Sequence, residues 1–237
     1  IIEYRDLWNE PNMGYNPDFI APLVKQVFIW ARETGATQPL TSPVWAWENT
    51  KNKDPNLIAL ESIQIELSDI ISFHNYANFG GLRKMVLELE QYGKPLVCTE
   101  YMARTIGSTF DPHLGFMKEK NISAFNWGLV TGRTQTNYPW QSLNKPNPYK
   151  GIKDPSIWFH DIFYANGTPK FSEEMNYIKS LTSEKPMLSL KYSSQTLING
   201  ANSQLQFPYI ASIFFTFFLL GIILHYRWRI KGNFIEN

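Results

Sequence analysis

The feature that most narrows the choice of fold is a repeated switch of hydrophobic period along residues 1–182. Short apolar and β-branched runs, at 2–8, 39–47, 69–76, 94–101 and 122–129, alternate with stretches whose apolar residues recur at helical spacing. A strand that is followed each time by a helix returns parallel to its predecessor, so this alternation predicts an α/β domain built around a parallel sheet. The helix limits are also legible. Asn16, Pro17 and Asp18 supply a cap, a proline at the first helical position and an acid in the first turn. Phe19, Leu23, Val27, Trp30 and Ala31 then share one face, and Gly35 ends the helix. Asp54 and Pro55 open a second helix reaching Leu67. Leu82, Met85, Val86 and Leu89 mark a third that stops at Gly93, a fourth covers 111–120, and Ser172 with Glu173 and Glu174 starts the last.

Past residue 182 the pattern changes. Residues 183–206 are rich in Ser, Asn and Gln and predict a tether, whereas 207–226 is dominated by Phe, Ile and Leu and carries no Asp, Glu, Lys or Arg. About 20 apolar residues suffice to cross a bilayer core. Arg227, Arg229 and Lys231 follow at once, with Tyr209, Tyr226 and Trp228 near the ends. These features predict a single transmembrane helix in contact with the lipid bilayer, against the alternative of a buried core helix. They imply a short basic cytoplasmic tail at 227–237 and an extracytoplasmic domain at 1–182. Composition excludes another partner: 22 Lys and Arg against 21 Asp and Glu give a formal charge of +1, without the basic footprint that nucleic acid demands. The single cysteine, Cys98, rules out an intramolecular disulfide and a paired-thiol zinc site; it is expected to face the interior as a small hydrophobe. The sequence contains no phosphate-cradling glycine loop and no recognisable metal-ligand spacing.

Two carboxylates stand out because each ends an apolar run, and parallel α/β barrels carry their catalytic groups at the C-terminal ends of strands. Glu10 closes Asp6-Leu7-Trp8-Asn9-Glu10-Pro11, and Glu100 closes Pro95-Leu96-Val97-Cys98-Thr99-Glu100. One strand-end glutamate is ordinarily a surface ion-pair partner. Two of them on separate strands, set among aromatic and amide side chains, match what glycosidic bond cleavage needs: one carboxyl to protonate the leaving oxygen and one carboxylate to attack or to activate water.

Trp8-Asn9-Glu10-Pro11 resembles the acid/base motif of the clan A retaining glycoside hydrolases, and the chain looks most like their cellulase-family, family 5-like members. Phe73-His74-Asn75-Tyr76 resembles the clan's strand-six segment, and Phe125-Asn126-Trp127-Gly128 its strand-eight tryptophan segment. The spacing agrees, because the clan places its acid/base after strand four and its nucleophile after strand seven, and Glu10 and Glu100 stand three βα units apart. The resemblance therefore implies a partial (β/α)8 TIM barrel holding strands four to eight. Strands one to three are expected upstream of Ile1, since such a barrel takes about 250 residues.

Carried over by position, the resemblance makes Glu10 the general acid/base and Glu100 the nucleophile, with Asn9 bonding the sugar 2-hydroxyl. It implies no metal or organic cofactor. Glu100 must stay ionised, and Tyr76 is the candidate donor to it. His74 either orients Glu10 or binds a substrate hydroxyl, or else is a hydrogen-bonded core histidine. Trp127 is expected to stack on a sugar ring, while Trp45, Trp47 and Trp140 either stack on sugar or pack in the core; Trp8 and Trp30 are read as core. Arg104 and Arg133 either reach the cleft from their loops or serve as structural or solvated charges. The expected activity is retaining hydrolysis of a β-linked poly- or oligosaccharide of glucan, mannan or xylan type. The alternative is an inactive, membrane-anchored carbohydrate-binding protein using the same residues.

Overall fold

A computed structural model describes residues 3–11, 17–45 and 55–183. The tether at 184–206, the span at 207–226, the basic tail and Trp47 lie outside the described residues. Among those described, no helix is long and apolar enough to cross a membrane.

The elements follow in the predicted order: β1 (Arg5–Asp6), α1 (Pro17–Glu33), β2 (Leu40–Thr41), α2 (Pro55–Leu67), β3 (Ile71–His74), α3 (Phe79–Leu89), β4 (Leu96–Tyr101), α4 (Phe110–Glu119), β5 (Ser123–Asn126) and α5 (Ser172–Thr182). Gly35 adopts φ 79°, a left-handed conformation that a side chain resists, and so stops α1 where the sequence indicates. The Asn78 side chain accepts the Gly81 amide at 3.1 Å and caps α3.

The arrangement of these strands corrects the expected barrel. They form two small parallel sheets, β1-β2 and β3-β4-β5, rather than five consecutive strands of one barrel. The break lies between β2 and β3 and has a chemical cause. Beside β2 the Ser72 amide bonds to the Thr41 hydroxyl at 3.2 Å, and the Thr41 and Ser72 hydroxyls bond each other at 2.7 Å, so side chains occupy places that a backbone ladder would use. Beyond this seam one isolated bridge pairs Val44 with Phe73. The strands are also shorter than the apolar runs that contain them, because only part of each run finds a backbone partner.

Each sheet has its own apolar cluster. Ile71, Phe73, Leu82, Val86, Leu89 and Cys98 belong to the larger one, over β3-β4-β5 and the helices that follow. Val24, Phe28, Leu40 and Leu60 belong to the smaller one, where α1 and α2 meet β2. Most of the α1 face expected to be buried is turned outward: Phe19 is 75%, Leu23 39% and Trp30 51% exposed, while Ile20, Ala21, Val24 and Phe28 pack inward and, of the expected face, Ala31 packs against the smaller cluster. Both stripes of α1 are apolar, so hydrophobic period alone does not select between them. Trp30 is thus not a core residue, whereas Trp8 packs half-buried against the smaller cluster and Cys98 is fully enclosed.

Candidate active site

The turn after β1 holds Glu10 in an unusual conformation. Its φ of 42° lies in the left-handed region, which costs a non-glycine residue of order 1–3 kcal/mol and persists only where surrounding bonds enforce it. Those bonds are present. The Ser42 hydroxyl donates to the Trp8 carbonyl at 2.9 Å, the Trp45 indole donates to the Pro11 carbonyl at 3.0 Å, and the Leu7 amide bonds the Thr41 carbonyl at 2.9 Å.

Glu100 is set by irregular strand pairing. Register shifts occur beside it in both ladders of β4, between Phe73 and His74 on one side and between Cys98 and Tyr101 on the other. Such bulges re-aim side chains and are common next to active sites.

His74, the last residue of β3, joins the two glutamates. Its Nδ1 lies 2.6 Å from Glu10 Oε1 and 3.3 Å from Glu100 Oε2. While both carboxyls are ionised, Nδ1 must carry the proton, because two acceptors face it. The other ring nitrogen is buried and has no hydrogen-bond partner among the described residues. One ligand atom from each of Glu10, His74 and Glu100 lies within 4.8 Å of the other two. This trio could hold a metal ion, a cluster that sequence spacing does not disclose. A cation there would have to displace the short Glu10–His74 bond.

The Tyr76 hydroxyl donates to Glu100 Oε2 at 2.8 Å, the contact expected from the sequence. Burial pushes the Glu100 carboxyl above its ordinary range and the Glu10 charge adds to that rise, while His74, the Tyr76 bond and a bond from the Asn9 side chain oppose it. Asn9 therefore meets Glu100 directly, although the residue is otherwise exposed. Burial and the Glu100 charge raise the Tyr76 phenol far above its usual value, so it acts only as a donor.

A cleft of about 640 Å³ opens beside this group, lined by Glu10, Trp45, His74, Tyr76, Trp140 and Lys84 among others. Trp140 begins a short helical turn, Trp140–Leu143, in the long loop after β5, and packs edge-on to Tyr76 with ring centroids 5.3 Å apart. Trp45 and Trp140 thus both belong to the cleft, and Trp140 is 47% exposed. Asn9, Glu100 and Trp127 are not among the lining residues. The Trp127 amide bonds the Tyr101 carbonyl at 2.9 Å.

Arg104 is structural. Its Nε and Nη2 pair with Glu174 at 2.7 and 2.6 Å, and Nη1 reaches the Trp158 and Asp161 carbonyls, which fastens α5 to the loop after β4. Arg133 is exposed.

Two charged residues near the site escape sequence reading. The Asp6 carboxyl is pushed up to about 6 by burial among its neighbours, with the Glu100 charge adding and His74 and the Trp8 amide opposing. By surface area the residue is nevertheless exposed. An acid inside an apolar strand run was the available signal. Lys84 had none, since it sits off the apolar stripe of α3 like any solvated lysine. Neither protein-family models nor curated proteins match the chain, so the site stands on its own geometry.

Proposed function

We propose that the chain is a retaining β-glycoside hydrolase acting on a poly- or oligosaccharide. The observation that carries this reading is the pair Glu10 and Glu100, with carboxylate oxygens within 4.8 Å of each other and His74 Nδ1 facing both, 2.6 Å from Glu10 and 3.3 Å from Glu100. Retaining enzymes hold their two carboxyl groups about 5–5.5 Å apart, while inverting enzymes need a wider gap for water.

In the first step Glu100 attacks the anomeric carbon as Glu10 donates its proton to the departing glycosidic oxygen. In the second, Glu10 takes a proton from water, which displaces Glu100 from the sugar. Burial leaves the Glu100 carboxylate poorly solvated and reactive, and the charge of His74 with the donors from Tyr76 and Asn9 favours its ionised form. Trp45 and Trp140 supply flat apolar faces for the C–H surfaces of a pyranose.

A 2-deoxy-2-fluoro glycoside with a good leaving group should form a covalent adduct on Glu100, located by mass spectrometry of the labelled peptide. Glu100→Gln should abolish both adduct and turnover, and azide should restore activity to Glu10→Ala. Treatment with EDTA should leave the rate unchanged. Absence of the adduct together with a fully active Glu100→Gln variant would sink the assignment.

A further inference from the structure

The cleft has an electrostatic asymmetry that a neutral glycan would not use. Among its described lining residues Glu10 is the only acid and Lys84 the only lysine or arginine. Lys84 stands on α3, where Glu88 four residues on is its ordinary helical neighbour for an ion pair. The lysine nevertheless borders the cleft and makes no hydrogen bond or ion pair with any described residue.

The other described lining residues from the end of β3 to α3 include no acid. The Asn78 carbonyl oxygen is engaged by the Gly81 amide, which leaves the NH2 group of that side chain to donate, and Met85 and Ile106 add apolar wall. Near Glu10 and Glu100 an anionic group is repelled, so within this cleft the Lys84 wall is where a negative charge is accommodated and steered.

We infer that Lys84, with Asn78, forms a subsite for an anionic substituent, and that the substrate is an acidic glycan. The inference rests on the hydrolase reading above and adds the substrate class. A uronic acid carboxylate and a sulfate ester present the same chemistry to an ammonium group, so the test separates them.

The full chain carrying Glu100→Gln is titrated calorimetrically with a glucuronate-bearing xylo-oligosaccharide and its carboxyl-reduced form. A parallel pair is a sulfated β-glucan oligosaccharide and its desulfated form. The anionic member of at least one pair should bind about tenfold more tightly, with an advantage that shrinks as salt rises, as expected for one charge-assisted contact near the surface. Introducing Lys84→Met or Lys84→Gln should remove the advantage, and Lys84→Arg should keep most of it. The pair that responds identifies the source of the charge. Equal binding within both pairs, an advantage that survives loss of Lys84, or no binding of any of the four probes overturns the subsite. Labelling of the wild-type chain by the fluoro-glycoside separates the two readings. Labelling without anion preference removes the subsite alone, whereas anion preference without labelling removes the hydrolase reading and leaves an acidic-glycan binding site.

Discussion

Tyr76 is the residue whose removal isolates one hydrogen bond at the proposed nucleophile. Its hydroxyl is a donor to Glu100 that the phenyl ring of Tyr76→Phe cannot replace, and the ring would keep its edge contact with Trp140. A bond to a charged group is worth about 1.5–3 kcal/mol, so kcat/KM should fall by roughly 10- to 100-fold. With one opposing donor gone, the Glu100 carboxyl rises further, and the acid limb of the pH–rate profile should move to higher pH. An unmoved acid limb would show that Tyr76 does not act on Glu100.

His160 allows a second test at this scale, read from stability. The ring is 2% exposed, and burial holds its pKa down at about 4, with Arg104 adding to the fall and the bond to the Met102 carbonyl opposing it. Unfolded, the same group titrates near 6.5. Between those values the unfolded chain binds the extra proton, so the contribution of His160 is present above about pH 6.5 and is lost as pH falls through about 4. The loss should approach about 3 kcal/mol, from 1.36 kcal/mol per pH unit. Urea unfolding at pH 7 and pH 4.5 should give a shallower pH dependence for His160→Gln than for wild type, whatever the variant's absolute stability.

At the scale of elements, the segment leaving β5 is a tight joint. Gly128 has φ 81°, and a Cβ there would meet both Asp161 Oδ1 and His160 Cβ at 2.7 Å and the Asp161 amide nitrogen at 3.2 Å. Both the backbone conformation and the space exclude a side chain, so Gly128→Ala should cost about 1–3 kcal/mol by overpacking. Circular dichroism melts would report the loss, and a variant as stable as wild type would contradict it.

Elements of this kind were largely legible in advance. The stop at Gly35 and the switching period located β1 to β5 and α1 to α5, because those signals are local, while the caps read at Asn16 and Asp54 lie outside the described residues. Glu10, Glu100 and Tyr76 were legible for a related reason, as strand ends are where apolar runs stop. The inward stripe of α1 was not, since Phe19 and Phe28 are equally apolar and the surface opposite them decides which is covered. The partial barrel was not correct either. Whether β2 and β3 share a ladder depends on hydroxyls of Thr41 and Ser72 competing with backbone groups, and hydrophobic period carries no record of that competition. The meeting of His74 with both glutamates likewise joins positions far apart in sequence.

For the described part of the molecule, two apolar clusters on two sheets imply two levels of stability. The β4 amides lie inside a three-stranded sheet over the larger cluster, while β1 and β2 pair over two residues each. Opening the α1–α2 layer should require less free energy than global unfolding. Native-state hydrogen exchange followed by mass spectrometry should find α1 and residues 40–41 exchanging earlier than 96–101. Uniform protection across both clusters would mean that the seam is no boundary.

The seam also runs between the two carboxyls. Glu10 follows a strand of one sheet and Glu100 lies on a strand of the other, so their separation is fixed by how the sheets abut, through Thr41 with Ser72, Val44 with Phe73, and His74. Slippage of a single ångström there would unmake the reacting pair while leaving nearly every helix intact. Heat should therefore silence the proposed activity before the chain melts, with inactivation leading the spectroscopic transition, so that the junction works as a thermal fuse.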